Sequence, residues 1–308
     1  MPLKPGVNLD SQMNTGRLLI VDGHAYAYRA FHAIRELRSP TGQPTNAIFG
    51  FVKMLAKMRA VVEPTHLMVV WDGGLSAERL AALPEYKAQR PEMPADLKPQ
   101  LDGMTGYLQA AGIASFCQEG VEADDYIAGL ARRAAEAGLA VVIASSDKDF
   151  MQLVSGQIGL LNPNDKTETI WTEEQVRGKT GVRPSQVVDW LSLTGDSVDN
   201  IPGVPGVGPK TATELLNRFG SVDALFERVS EVKSEKLAAN LRAAEAAVRR
   251  NQELVRLRDD LPCAWSPEAL AEKPADAGRL RVLYRRWGFK TLLAALGEEA
   301  QECQAVLI

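Results

Sequence analysis

Three short runs of nearly unbroken hydrophobicity end in an aspartate: 18–22 (LLIVD), 67–72 (LMVVWD) and 140–147 (AVVIASSD). Their β-branched content predicts strands buried on both faces, and the helical patterns between them predict a mostly parallel α/β sheet. In open sheets of this kind ligands bind outside the carboxyl ends of the strands, where all three aspartates would sit. Between the second and third runs, segment 76–99 is charged and punctuated by prolines at 84, 91, 94 and 99. Those prolines disfavour a long regular helix, so the segment is expected to leave the core. A helix opening near Glu122 carries Ile127, Leu130, Ala131 and Ala134 at helical spacing and stops at Gly138. After Thr172 the pattern turns wholly helical, which predicts a second, α-helical lobe with a glycine hairpin at 203–208.

The chain is thus expected to divide into an N-terminal extension (1–16), an α/β core (17–171), a helical lobe (172–296) with a two-helix element over 190–220, and a tail (297–308). Its 308 residues, 45% of them hydrophobic, suffice for a substantial core. No apolar run approaches the roughly 20 residues of a membrane span. The first residues lack the basic-then-apolar order of a signal peptide, and a cytoplasmic protein without a membrane partner is expected. Cys117, Cys263 and Cys303 are odd in number and far apart, which suits reduced thiols better than disulfides or a zinc site.

Taken alone, the formal net charge of −4 argues against a nucleic-acid partner. It does so only if the acids are spread evenly, and they are not. Asp22 and Asp72 follow strands; Glu122, Asp124 and Asp125 lie in VEADD; Asp147 and Asp149 lie in SDKD; Asp196 and Asp199 lie in TGDSVDN. With these nine set aside, 30 of the 39 acids remain against 35 Lys plus Arg, a basic surplus of five. So many carboxylates at one sheet edge would repel one another unless cations neutralised them. Oxygen ligands without His or Cys favour Mg²⁺ or Mn²⁺, and two such ions about 4 Å apart can activate a water against a phosphodiester. Taken singly, each acid has a plainer reading: Asp after a strand commonly caps a helix or closes a turn, and VEADD suits a helix dipole.

IPGVPGVGPKTATELL reads as two helices joined by a glycine hairpin, with Gly203, Gly206 and Gly208 before Lys210 and Thr211. Exposed amides at such a turn bind phosphate without reading sequence. It is not a Walker loop, because Pro209 stands where that motif needs glycine. In ERLAALPEYKAQR, Arg79, Tyr86, Lys87 and Arg90 offer cations and a stacking ring to a single strand, although a solvated charged loop is the plainer reading.

Together VDGHAYAYRAFHAI, WDGG, YKAQR, VEADD, SDKDFMQL, TGDSVDNIPGVPGVGPKTA and RWGFKTLL resemble the 5′-nuclease domain of bacterial DNA polymerase I and its flap-endonuclease relatives, from about Arg17 to Leu296. The resemblance implies a PIN-like α/β core, with a helical arch over the active site at 76–99 and a helix-hairpin-helix in the helical lobe. It implies a structure-specific 5′-3′ exonuclease and flap endonuclease that leaves 5′-phosphates during primer or flap removal. Two Mg²⁺ or Mn²⁺ would be served by Asp22, Asp72, Glu122 and Asp124 on one side and Asp147, Asp149 and Asp199 on the other. Asp125 and Asp196 match further acids of the bacterial branch. Lys87 and Arg90 would contact the scissile phosphate, with Arg79 and Tyr86 guiding the 5′ strand. The family's hairpin often holds K⁺. Partners would be DNA with 5′ flaps, nicks or frayed 5′ ends, RNA-primed strands included, bound by a monomer.

The arch base departs from the family's FRHE-like run: Glu78-Arg79-Leu80-Ala81 keeps only the arginine, which puts substrate threading in question. No proofreading or polymerase domain follows Leu296 in this sequence, which leaves open a stand-alone nuclease or part of a polymerase. Two other readings stay open. One is an idle relative that binds branched DNA, and the other is a small-molecule phosphohydrolase, which would give the hairpin no role.

Overall fold

The computed structural model describes residues 16–165, 167–261 and 266–305, with side chains through residue 297. The expected extension up to residue 15, Cys263, the side chain of Cys303 and the end of the tail lie outside the described residues.

The three hydrophobic runs form the centre of a larger sheet. Strands β1 (Arg17–Asp22), β2 (His66–Val70), β3 (Ala114–Phe116), β4 (Ala140–Ala144), β5 (Ile158–Leu161) and β6 (Ile170–Trp171) lie in the order β3-β2-β1-β4-β5-β6. All pairs are parallel except β5 with β6. Helices α1 (Gly23–Ala33) and α2 (Asn46–Val62) lead from β1 to β2; α3 (Ala77–Ala82) and α4 (Lys98–Ala110) lead from β2 to β3. Helix α5 (Ala123–Glu136) leads from β3 to β4.

Alternation along the strands feeds two cores. Leu19, Val21, Leu67 and Val69 face α1, α2 and α4, whereas Leu18, Ile20, Met68 and Val70 face α5 and the helical lobe. Full burial of each such aliphatic side chain stabilises by about 1.5–3 kcal/mol. The register Asp22↔Val70 and Val21↔Ala144 ends the three central strands at one level. Every loop that follows them therefore opens on the same edge.

The second lobe comprises α6 (Glu173–Thr180), α7 (Val187–Thr194), the two-residue strands β7 (Gly195–Asp196) and β8 (Ile201–Pro202), α8 (Pro209–Phe219), α9 (Val222–Glu227) and α10 (Glu235–Val255). It is not wholly helical as expected: β7 and β8 pair antiparallel, and the acid-rich TGDSVDN turn is their tip. After α11 (Pro267–Leu270), α12 (Ala277–Trp287) and α13 (Lys290–Ala305) complete the described chain. Leu280, Tyr284 and Trp287, spaced as an apolar stripe, return α12 to the α2 and α4 side of the sheet. The 172–296 segment is thus not one lobe; its last helices cover the first.

The 76–99 segment also differs from expectation. It neither leaves the core nor forms an open arch, because Leu83, Tyr86 and Leu97 are buried and draw the chain down onto the sheet edge. Pro84 sits in the turn after the six-residue helix α3, Pro91 and Pro94 in the irregular stretch beyond it, and Pro99 in the first turn of α4, so the prolines shape the path without separating the segment from the protein.

Candidate metal and nucleic-acid site

The nine acids are delivered by five separate segments, and several are held by short-range hydrogen bonds. Asp22 ends β1 and caps α1: one oxygen accepts the Ala25 N–H at 3.0 Å, the other the Ser145 hydroxyl at 2.8 Å. Capping and cavity lining are therefore combined in one side chain. Asp72, two residues past β2, accepts the Gly74 N–H at 2.9 Å, while its own N–H is donated to His24 Nδ1 at 3.0 Å. Gly73 lets this loop lie against the approach to α5, since a Cβ there would stand 1.7 Å from the Gln118 carbonyl oxygen. Asp147 caps the 3-10 turn Lys148–Leu153 by accepting the Asp149 N–H at 2.9 Å. Asp196 pins the tip of the β7–β8 ribbon, accepting the Val198 N–H at 2.9 Å.

These elements bring Asp22, Asp72, Asp124, Asp147, Asp196 and Asp199 around one cavity of about 380 Å³. Oxygens of Asp149, Asp196 and Asp199 gather within 4.8 Å of one another, and one Asp149 oxygen is buried with no hydrogen-bond partner. Withdrawal from water, with repulsion from Asp147 and Asp72, pushes the Asp22 carboxyl up to about 6 against the hydrogen bonds from Ala25 and Ser145. Desolvation, then the charge of Asp147, raises Asp124 and Asp149 well above the usual carboxylate range. Asp147 itself is raised by desolvation and by Asp199 and Asp196. Acids held this close, with an orphaned oxygen among them, fit a hard divalent cation.

Three of the nine acids do not line that cavity: Asp149 reaches it through its cluster with Asp196 and Asp199, whereas Glu122 and Asp125 stand apart. Glu122 caps α5 from behind it and is clasped by Lys87 Nζ at 2.5 Å and Arg79 Nη1 at 3.3 Å, with the Ser76 N–H at 2.9 Å. Burial alone would raise Glu122, but Lys87 and Arg79 hold it below its ordinary value. Asp125 is paired with Arg79 through two 2.7 Å hydrogen bonds. That fork satisfies both carboxylate oxygens, so the structure places Asp125 in a structural ion pair and not among the cavity acids.

The expected strand-guiding role of Arg79 changes for the same reason. Its remaining donors reach the Leu254 and Arg256 carbonyls at 3.0 Å, and it is 7% exposed. It ties α3 to α5 and to the end of α10. Tyr86 is likewise buried, its hydroxyl donating to Glu122 at 3.3 Å and Asp199 at 3.4 Å, so its ring has no free face for a base. Lys87, with φ of +56°, donates its backbone N–H to the Asp199 carbonyl at 3.0 Å, and its ammonium is also buried. Burial alone would lower Lys87, but Asp124, Glu122 and Asp199 raise it above the ordinary lysine value. Arg90 remains half-exposed in the cavity wall, its Nη2 2.7 Å from Asp199.

The hairpin lies outside the acid cavity. Gly203 packs where a Cβ would stand 2.2 Å from the Thr194 carbonyl oxygen, and Gly206 adopts φ of +83°. Gly208 caps α8 without a side-chain partner; Gly203, Gly206, Gly208 and Lys210 are exposed, and Thr211 is half-buried. Cavity-wall residues that the motifs did not single out are His24, Tyr28 and Lys148. Their signal was position: His24 follows the first aspartate, and Lys148 stands between Asp147 and Asp149.

Residues 17–181 match the family model described as 5′-3′ exonuclease, N-terminal resolvase-like domain, and residues 182–278 match that described as 5′-3′ exonuclease, C-terminal SAM fold. This chain belongs to the 5′-3′ exonuclease family. A 5′-3′ exonuclease of Aquifex aeolicus is 39% identical to it over 277 residues, which cover 90% of this chain and 93% of that protein. The DNA polymerase I of Bacillus caldotenax is 37% identical over 288 residues, 93% of this chain but 33% of the polymerase. This family member thus spans about a third of the polymerase it matches. Among solved structures, the T5 D15 protein co-crystallised with metal ions superposes with a TM-score of 0.63 at 25% identity, over 78% of this chain and 89% of that one. The boundary between the two family models falls after Gly181, the residue that ends α6.

Proposed function

We propose that this chain, acting as a monomer, hydrolyses DNA phosphodiester bonds at frayed 5′ ends, nicks and 5′ flaps, RNA-primed strands included, and leaves 5′-phosphates. The observation that carries the proposal is the cavity itself: seven carboxylates from five segments converge, one with an unpartnered buried oxygen. Asp149, Asp196 and Asp199 would hold one Mg²⁺ or Mn²⁺, and Asp22, Asp72, Asp124 and Asp147 a second. Bound there, such ions supply Lewis acidity, lowering the pKa of water and offsetting charge on the leaving oxygen.

The chain's own side chains do the positioning. Arg90, half-exposed in the cavity wall, offers a planar fork to the incoming phosphate. Lys87 is kept charged beside the acids by Glu122 and provides a second cation once phosphate competes with that carboxylate. His24, held below its ordinary pKa by burial, accepts the Asp72 N–H at Nδ1 and so carries its proton on Nε2 as a donor. The exposed amides of the 203–208 hairpin and Lys210 would grip the duplex backbone without reading sequence. The same reading places K⁺ on that hairpin's main-chain carbonyls. Terminal nucleotides must unpair for a phosphate to reach the cavity, at a cost of a few kcal/mol, so flaps and frayed ends should outcompete intact duplex.

A labelled 5′-flap oligonucleotide incubated with Mg²⁺, with and without EDTA, tests this. The expected result is EDTA-sensitive release of short 5′-phosphorylated products. Tight flap binding without any metal-dependent product would make the chain a recognition module, and hydrolysis confined to soluble phosphate monoesters would make it a phosphohydrolase.

A further inference from the structure

Lys148 is given no role by the motifs or by the proposed chemistry, yet it stands in the wall of the acid cavity. It opens the 3-10 turn that follows Asp147; the turn sends Asp149 inward and leaves the Lys148 side chain 38% exposed. Its ammonium lies 2.9 Å from Asp196 Oδ1. Asp196 is one of the three acids whose oxygens cluster within 4.8 Å, beside the unpartnered Asp149 oxygen. An ammonium and a divalent cation are therefore drawn to the same carboxylate.

We propose that Lys148 is a displaceable counter-ion: in the metal-free protein its ammonium balances the charge of Asp196, and metal binding drives it off toward the cavity mouth. The inference rests on reading Asp149, Asp196 and Asp199 as a divalent-cation site. Two consequences follow from competition for one carboxylate. The acid cluster is partly neutralised before any metal arrives, which limits repulsion in the folded apoprotein. Metal must also break the ion pair, so the apparent dissociation constant rises by the inverse of the fraction of molecules in which Asp196 is free. For a pair whose ammonium is partly solvated, that factor is about five. The released ammonium then faces the cavity, where a phosphate enters.

The test is Mn²⁺ titration of the DNA-free, EDTA-stripped protein, with free Mn²⁺ read by electron paramagnetic resonance. Lys148→Met should bind the Mn²⁺ held by Asp149, Asp196 and Asp199 about fivefold more tightly than wild type, whereas Lys148→Arg should stay within about twofold of it. The metal-free Lys148→Met protein should also melt at lower temperature than wild type, with Mn²⁺ closing the gap. Should Lys148→Met fail to fold, Lys148→Gln carries the same expectations. Unchanged or weaker Mn²⁺ binding in the folded methionine or glutamine variant would overturn the proposal. So would tightening in Lys148→Arg equal to that in Lys148→Met, because the charge would then not be the cause. A wild-type protein that binds no Mn²⁺ would instead bring down the metal-site reading itself, and the counter-ion with it.

Discussion

Glu122 and Asp124 are two residues apart at the start of one helix and have opposite electrostatic fates. Glu122 faces inward onto Lys87 and Arg79, which hold its carboxyl below the ordinary value against the pull of burial. Asp124 faces the cavity, where desolvation and Asp147 push it well above. The same contrast separates Asp125, satisfied on both oxygens by Arg79, from Asp149, which has an oxygen satisfied by nothing. One group of acids has its cations built into the chain; the other is only partly balanced, by Arg90 on Asp199 and Lys148 on Asp196, and leaves the rest open for ions from solution. The family motifs do not draw this line, because both groups occur in the same short stretch of sequence.

The largest test of the contrast is on the open side. Asp147→Ala should lower kcat on a flap substrate by on the order of a thousandfold while sparing DNA binding, since several kcal/mol of charge stabilisation depend on the ions it helps to hold. Near-normal cleavage would remove Asp147 from the proposed metal site. On the compensated side the loss should be in folding. Arg79→Ala leaves Asp125 buried with only the Arg258 N–H and no cation, and should cost about 3–5 kcal/mol in urea unfolding, with Arg79→Met plus Asp125→Leu recovering much of it. A variant that folds normally but binds flaps poorly would return Arg79 to a DNA-contacting role.

The two groups should also answer pH in opposite senses in EDTA. Asp22 has a folded pKa of about 6 against 3.8 for the free side chain. Between those values the folded form binds more protons than the unfolded form. Its contribution is therefore full below about pH 4 and lost as pH rises through 6, by at most about 3 kcal/mol. Glu122 behaves in reverse: its folded value is depressed, so its contribution is present above 4.5 and lost as pH falls through the folded value. Urea midpoints between pH 4 and 8 should accordingly decline toward the alkaline side in EDTA, and saturating Mg²⁺ should remove the decline. A profile indifferent to Mg²⁺ would mean that the cavity acids are balanced without it. The smallest effect lies away from both groups: Lys210→Ala should weaken binding to every duplex alike and reduce the slope of log K against log salt by about one.

Much of this was legible in the residues, within definite limits. The runs at 18–22, 67–72 and 140–147 revealed the central strands because strands covered on both faces need continuous apolar residues. Strands β3, β5 and β6 escaped because they are three, four and two residues long, and β5 is interrupted by Gly159. The cavity acids were readable because a strand end fixes where an aspartate sits. Arg79 and Tyr86 were misplaced because a charged, proline-rich stretch looks solvated until its partner is known, and Asp125 lies 46 residues further along. Lys148 went unnoticed for the same reason: its partner Asp196 belongs to the ribbon of the other lobe, which the sequence presents only as a glycine-flanked turn.

Anomalous diffraction from crystals soaked in Mn²⁺ tests the open charge balance most directly. Two peaks are expected within the cavity, one against Asp149, Asp196 and Asp199 and one against Asp22 and Asp124, with the Lys148 ammonium withdrawn from Asp196. A cavity without manganese at millimolar concentration, its acids still engaged only with Arg90 and Lys148, would contradict the account.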